Sequence, residues 1–311
     1  MKKSFHAWVN VYFYNPGVFE RVLSVIFAPI SLLYSCFIRL KKLFIKPVKF
    51  CVPVISVGNL ILGGSGKTPL TKAIFELFSQ KYRTFIILRG YKRKSKGLIL
   101  VCEDGEILCD VNASGDEAME YALFCPKANV IVSENRADGI NEAIKRGGEL
   151  VLLDDGFGKF GIEKFNILLY PSVEPKSDLT IPSGAYRYPK SYYALADFIP
   201  QKDDILSKIE ILNESEKMLL IAGIANPGRL KFVFDKCVGR EFFADHYDYK
   251  KAELEDLLKK HGASSILLTA KDFVKVKNFN LPLSLLVLKS TLSDNFKQKL
   301  ENYITSFKDL R

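Results

Sequence analysis

The run Gly63-Gly64-Ser65-Gly66-Lys67-Thr68 stands between an apolar, β-branched stretch (52–57) and a stretch rich in helix formers. Strand, glycine-rich loop and helix in that order are what binding a nucleotide's phosphates requires. Glycines let backbone N–H groups converge on phosphate oxygens, the helix N-terminus adds partial positive charge, and Lys67 adds a full one. The Thr68 hydroxyl is placed to ligate a Mg²⁺ that bridges the β- and γ-phosphates. The usual spacing puts a glycine five residues before Gly66, where this chain has Ile61. The paired Gly63-Gly64 does the same work from inside a shorter loop. Ile61, Leu62, Gly63, Gly64, Ser65, Gly66, Lys67 and Thr68 are the expected cofactor-binding residues.

A second signal is Leu150-Val151-Leu152-Leu153-Asp154-Asp155-Gly156, four apolar residues running into an acidic pair. A buried strand with a carboxylate at its tip has the form of a Walker B element, and Asp154 or Asp155 can reach a Mg²⁺ held by the phosphate loop. Adjacent carboxylates repel unless a cation or a proton relieves them, and a metal–nucleotide site meets that need.

Asp116 and His246 are weaker signals. Ser114 and Glu117 have capping-box spacing, which accounts for polar residues at that helix start without needing Asp116. His246 sits at a strand-to-helix junction beside a carboxylate, although a lone histidine is more often structural. Arg89-Gly90-Tyr91-Lys92-Arg93-Lys94 ends a strand with four cations, equally suited to an anionic substrate and to a solvated turn. Thr269 and Asp272 again have capping-box spacing.

The elements that must position these residues alternate. A helix over 67–80, a strand over 84–88, a strand over 130–132 and a helix over 134–146 precede the acidic strand, and strands over 165–170 and 196–199 follow it. Alternation of this kind predicts an α/β fold, a P-loop NTPase-like and mostly parallel sheet flanked by helices. Residues 201–217 are polar and read as a linker. Strands over 218–224, 241–244, 266–268 and 285–288 and a closing helix then form a smaller α/β set. The expected division is a membrane-associating helical segment at 1–45, a P-loop core at 46–215 and a smaller α/β domain at 216–311.

A net charge of +10 points to an anionic partner, whether nucleic acid, a nucleotide or an acidic membrane surface. The six cysteines are scattered without a CxxC pair, which argues against a disulfide framework and a zinc site. Residues 22–38 form an uncharged apolar run that as a helix spans about 26 Å, short of a bilayer core of about 30 Å. Pro29 is expected to kink or interrupt it. Arg39, Lys41, Lys42, Lys46 and Lys49 follow, and an apolar helix with a basic flank fits docking on anionic lipid. Ser24, Ala28, Ser31 and Ser35 fall on one stripe, which equally fits close packing against another element.

Several segments together resemble the tetraacyldisaccharide 4'-kinases (lipid A 4'-kinases) of Gram-negative bacteria: VPVISVGNLILGGSGKTPL, ILRGYKRKS, SGDEAMEYA, LVLLDDGF, PSGAYRYP, IAGIANPGRL, ADHYDY and LLTAKDFVK, in the family's order across nearly the whole chain. The resemblance implies transfer of the γ-phosphoryl of ATP, with Mg²⁺, to the 4'-hydroxyl of a tetraacyldisaccharide 1-phosphate at the cytoplasmic face of the inner membrane. It implies that Asp116 and His246 are the catalytic pair, that Thr68 with Asp154 or Asp155 holds the metal, and that no nucleic acid is involved. The chain departs where the family reads DDGFQH, since Gly158-Lys159 follow Phe157, and where it reads TEKD, since Ala270 replaces the glutamate. A P-loop GTPase or ATPase delivering a metal or cofactor is the alternative; it lacks an NKxD-type base-specificity motif here and leaves the apolar segment without a task. A nucleic-acid-binding protein fits the charge, but the chain has no such motif.

Overall fold

The computed structural model describes residues 2–63, 65–224 and 227–309, so Gly64 of the phosphate loop lies outside the described residues. Two compact units are built from discontinuous segments. One comprises Met1–Arg89, Asn135–Ile205 and Leu292–Arg311, the other Gly90–Glu134 and Leu206–Thr291.

In chain order, helices α1 (Lys2–Tyr14) and α2 (Val18–Phe44) precede strand β1 (Val54–Asn59), helix α3 (Lys67–Phe78) and strand β2 (Thr84–Leu88). Strands β3 (Ile99–Glu103) and β4 (Glu106–Ile107) lead to helices α4 (Val111–Ser114) and α5 (Asp116–Phe124) and strand β5 (Asn129–Val132). Helix α6 (Arg136–Lys145) and strands β6 (Leu150–Asp154) and β7 (Phe165–Leu169) return to the first unit. Then come β8 (Ile205–Leu212), β9 (Met218–Ala222), β10 (Cys237–Phe242), α7 (Lys251–His261), β11 (Ser265–Thr269), α8 (Ala270–Val276), β12 (Leu283–Leu292) and α9 (Asp294–Asp309).

In the first unit the strands run parallel in the order β2-β6-β1-β7. Every residue of β1, β2 and β6 is buried, which is why these strands read as continuous apolar runs. Register pairs Val57 with Asp154, so the acidic tip of β6 lies level with the end of β1, from which the phosphate loop departs. Ligands of open α/β sheets gather at these carboxyl ends.

Helix α2 runs unbroken through Pro29, contrary to the expected interruption. Pro29 and Val25, whose carbonyl loses its usual partner, are both exposed, so the fault lies away from the packed seam. The opposite stripe is the expected close-packing one. Ser24 Oγ and Ser183 Oγ are 2.9 Å apart, Ser183 N donates to Ser31 Oγ at 2.9 Å, and Ser35 Oγ meets Thr180 Oγ1 at 2.9 Å. Tyr34 Oη donates to the Arg187 carbonyl at 3.3 Å. The helix therefore splints the 180–187 segment with one stripe while its broad apolar face stays uncovered by the described residues.

In the second unit β3 pairs antiparallel with β4 and with β5, and a five-stranded sheet has the order β10-β9-β11-β12-β8 with β10, β9, β11 and β12 parallel. Two sequence expectations fail. The polar stretch expected to be a linker contains β8, an edge strand whose residues, the apolar ones included, are mostly exposed, while polar residues flank it on both sides. Residues 196–199 form no regular strand but meet β7 at the bridge of Ile167 with Phe198 and where Asn166 N donates to Asp197 Oδ2 at 2.7 Å.

Candidate functional site

The phosphate loop leaves β1 through Asn59. Gly63 and Gly66 have φ of +105° and +84°, left-handed values that glycine adopts without strain, and a Cβ at either would meet nothing within 4 Å. The glycines thus serve conformation and leave an open cradle. Ile61 is buried, packing with Ile38, Leu60, Phe157 and Tyr186, and the Leu62 amide donates to the Ala185 carbonyl at 2.9 Å. These two residues join the loop to the 180–187 segment. Ser65 Oγ is buried without a hydrogen-bond partner among the described residues, as a group awaiting phosphate oxygens would be. Lys67 opens α3 directly after Gly66 and reaches Asn59 Oδ1 at 3.3 Å and Asp155 Oδ1 at 3.8 Å. Thr68 follows in the same first helical turn, half-buried.

At the tip of β6, Asp154 is buried, and Asp155 turns outward with φ +52°. Arg187 grips Asp155 bidentately, Nη1 to Oδ2 at 2.8 Å and Nη2 to Oδ1 at 2.7 Å, and Nη2 also donates to Asn59 Oδ1 at 2.6 Å. Asn59, fully buried at the end of an apolar strand, is the hub that sequence reasoning missed; a buried amide immediately before a phosphate loop was its one signal. Burial alone would raise the Asp155 carboxyl, but the Arg187 fork, with Lys67 and Arg136 behind it, holds it at about 2. A carboxyl depressed in the folded state adds stability that is present above its unfolded value of about 3.9 and lost as pH falls through the folded value. Arg187→Ala lifts the folded value, so acid unfolding followed by circular dichroism is expected to begin at higher pH than in the wild type. An unchanged acid transition would show that the pair adds no stability.

Gly158 lies under the Tyr188 ring. A Cβ added there would lie 2.6 Å from Tyr188 Cζ and closer still to its hydroxyl. Tyr188 stacks edge-on with Phe157 and Phe160, at 5.4 and 6.0 Å between centroids. The Tyr188 ring therefore requires a glycine at 158, and Tyr188 immediately follows Arg187.

The second cluster lies within the other unit. Gly115, with φ +84°, separates α4 from α5, and a Cβ there would lie 3.1 Å from the Tyr91 carbonyl. Ser114 is consequently the last residue of α4, donating to the Asp110 carbonyl at 2.9 Å, and forms no capping box with Glu117. Asp116 opens α5 and accepts on Oδ2 from His246 Nδ1 at 2.8 Å and from Lys275 Nζ at 3.0 Å. Burial works against its charge, yet the ring and the ammonium prevail and hold the carboxyl below its ordinary value. His246 itself has φ +62°, its amide donating to the Gly223 carbonyl at 3.4 Å. Tyr91 lies beside the ring, 5.6 Å between centroids.

Asp272 is not the partner in a helix cap that its spacing suggests. Fully buried and raised by that burial, its carboxyl accepts from Thr269 Oγ1 at 2.8 Å, Tyr249 Oη at 3.0 Å and Gly223 N at 3.2 Å. It ties three loops together beneath His246. Of the basic cluster, Arg93 turns inward and pairs with Glu134 at 2.6 Å, whereas Arg89, Tyr91 and Lys92 stay exposed. Lys275, Lys271 and Asp245 beside the pair lie in the segments LLTAKDFVK and ADHYDY, but the sequence assigned none of them a role.

Parallel strands, a glycine loop entering a helix at Gly66-Lys67, and a carboxylate tip in register beside it define a P-loop nucleotide-binding protein. The sequence model of the family described as "Tetraacyldisaccharide-1-P 4'-kinase" matches residues 23–212 and 200–307. The chain belongs to this tetraacyldisaccharide 4'-kinase family. It is 46% identical over 306 residues to a "Tetraacyldisaccharide 4'-kinase" of Campylobacter jejuni subsp. jejuni serotype O:2, covering 98% of each chain. To that of Aliarcobacter butzleri it is 39% identical over 317 residues, covering 99% of this chain and all of the relative. A crystal structure described as the "apo" form of LpxK from Aquifex aeolicus in complex with ATP superposes with a TM-score of 0.77 at 30% identity, covering 91% of this chain and 99% of that one. The mostly parallel α/β fold with an apolar N-terminal helix, expected from the sequence, is borne out.

Proposed function

We propose that the chain transfers the γ-phosphoryl of ATP to the 4'-hydroxyl of a tetraacyldisaccharide 1-phosphate, with Asp116 as the base. The observation that carries this reading is the Asp116–His246 pair. Both hydrogen bonds to the carboxylate fall on Oδ2, which leaves Oδ1 to take the acceptor hydroxyl's proton. Gly63 to Thr68 hold the triphosphate, and Lys67 neutralises the transferred group. The side chains at the loop and at the tip of β6 offer a hydroxyl and carboxylates, an oxygen donor set that suits Mg²⁺. With both Asp155 oxygens engaged by Arg187, Thr68 and Asp154 are the residues that would hold the ion, which would supply charge neutralisation at the phosphates. Incubation of the protein with radiolabelled ATP and the disaccharide 1-phosphate in mixed micelles tests the reading; no labelled lipid product would refute it.

The exposed face of α2 carries Val25, Leu33, Phe37 and Leu43, and the basic tract from Arg39 to Lys49 follows. This supports docking on the anionic cytoplasmic leaflet of the inner membrane, where an acylated acceptor resides. Each leucine withdrawn from water contributes about 1.5–3 kcal/mol. The pair Leu33→Asp and Leu43→Asp is therefore expected to lower co-sedimentation with anionic phospholipid vesicles at least about tenfold, while the serine stripe keeps the helix on the protein. Undiminished co-sedimentation would remove the membrane role of this face.

A further inference from the structure

We propose that Lys271 decides which nitrogen of His246 carries the proton, and so holds the ring as a donor to Asp116. The inference rests on reading Asp116 as the acceptor-side base and adds a positioning residue to it. Lys271 and Lys275 are four apart on α8 and so share one face. Asp272, buried among Thr269, Tyr249 and Gly223, fixes the start of that helix. From this face Lys275 reaches Asp116 Oδ2 at 3.0 Å, while Lys271 Nζ lies 3.2 Å from His246 Nε2 and 2.7 Å from Asp245 Oδ1.

An ammonium has three donors and no acceptor. At the Lys271 contact Nε2 must therefore present its lone pair, which leaves the N–H of the neutral ring on Nδ1. That hydrogen points at Asp116 Oδ2, 2.8 Å away, and an ionised carboxylate can only accept it. Donation runs in one direction, from Lys271 to His246 to Asp116, with Asp245 aiming the ammonium. Without Lys271 the nearest charged group to Nε2 is Asp245, whose Oδ2 is 3.7 Å from it and favours a proton there. The ring then exchanges tautomer, setting a lone pair against the Asp116 carboxylate. Tyr91, 5.6 Å away between centroids, is the other ring beside it and brings no charge.

The test is a long-range proton–nitrogen correlation spectrum of the full-length protein with labelled histidines. There are three histidines, and His246→Gln assigns the resonance. Wild-type protein is expected to show a protonated, pyrrole-like Nδ1 and a lone-pair, pyridine-like Nε2. Lys271→Met should move the Nε2 resonance toward the protonated position. Lys271→Arg should keep the wild-type pattern, because a guanidinium also only donates. In the transfer assay Lys271→Met should lower kcat about tenfold, a fraction of the ~10²–10⁴ that a positioned base contributes. The KM for ATP should stay unchanged and the arginine variant should recover most of the rate. A wild-type ring with its proton on Nε2, or resonances unmoved by Lys271→Met, would overturn the proposal. The wild-type spectrum needs no variant to fold. If the tautomer is as stated but the protein phosphorylates no disaccharide, the proposed function falls and this assignment stands.

Discussion

Asp116→Asn is expected to lower kcat by about 10²–10⁴, the contribution of a positioned general base, while leaving the KM for ATP nearly unchanged. The substitution keeps the side chain's shape, and an amide oxygen can still accept from His246 Nδ1, so the site stays folded. What disappears is the ability to take the hydroxyl proton. His246 and Lys275 overcome burial and keep the wild-type carboxyl below its ordinary value. A depressed carboxyl remains ionised until pH falls below about 3.9, so Asp116 contributes no acid limb to the rate between neutrality and that pH. If the asparagine variant transfers phosphate at the wild-type rate, Asp116 is reduced to a favourable charge at a helix N-terminus.

The parts of this molecule that were legible in the sequence are those whose meaning lies in a short run. Residues 54–68 and 150–156 each carry strand, turn and charged group within one short run, and β1, β2 and β6 are buried on both faces, so hydrophobicity alone marks them. Where polarity served a tertiary partner, local rules misled. Ser114 and Glu117 have the spacing of a capping box, but Gly115 breaks the helix between them. Thr269 and Asp272 have it too, but the carboxylate is spent on Tyr249 and Gly223. The surroundings of His246 were illegible for the same reason: Lys271, Lys275 and Asp245 converge on it only after α8 and the loop after β10 have folded. The packing stripe of helix α2 was legible, since Ser24, Ser31 and Ser35 recur at one helical period.

Lys67→Ala is expected to fold and yet lose nearly all transfer. In the resting protein Lys67 is a secondary partner of Asp155, 3.8 Å away, while the Arg187 fork holds both carboxylate oxygens. Asp155 is also 40% exposed, so the loss of this contact should change stability by no more than about 1 kcal/mol. Asn59, which loses one donor, keeps Arg187 Nη2 at 2.6 Å. On the proposed function, the ammonium's work lies with the nucleotide. Removing one preorganised donor from a developing negative charge costs about 10²–10³ in kcat, and one charge-assisted hydrogen bond to the bound phosphates is worth about 1.5–3 kcal/mol of affinity. Lys67→Arg should rescue little, because a planar guanidinium is larger than the compact charge that Gly66 and Asn59 frame. Calorimetric melting and ATP titration separate the two roles. A melting temperature close to wild type together with ATP affinity reduced about ten- to a hundredfold places Lys67 on the nucleotide. A large fall in melting temperature with ATP affinity unchanged would instead make Lys67 a brace for Asp155.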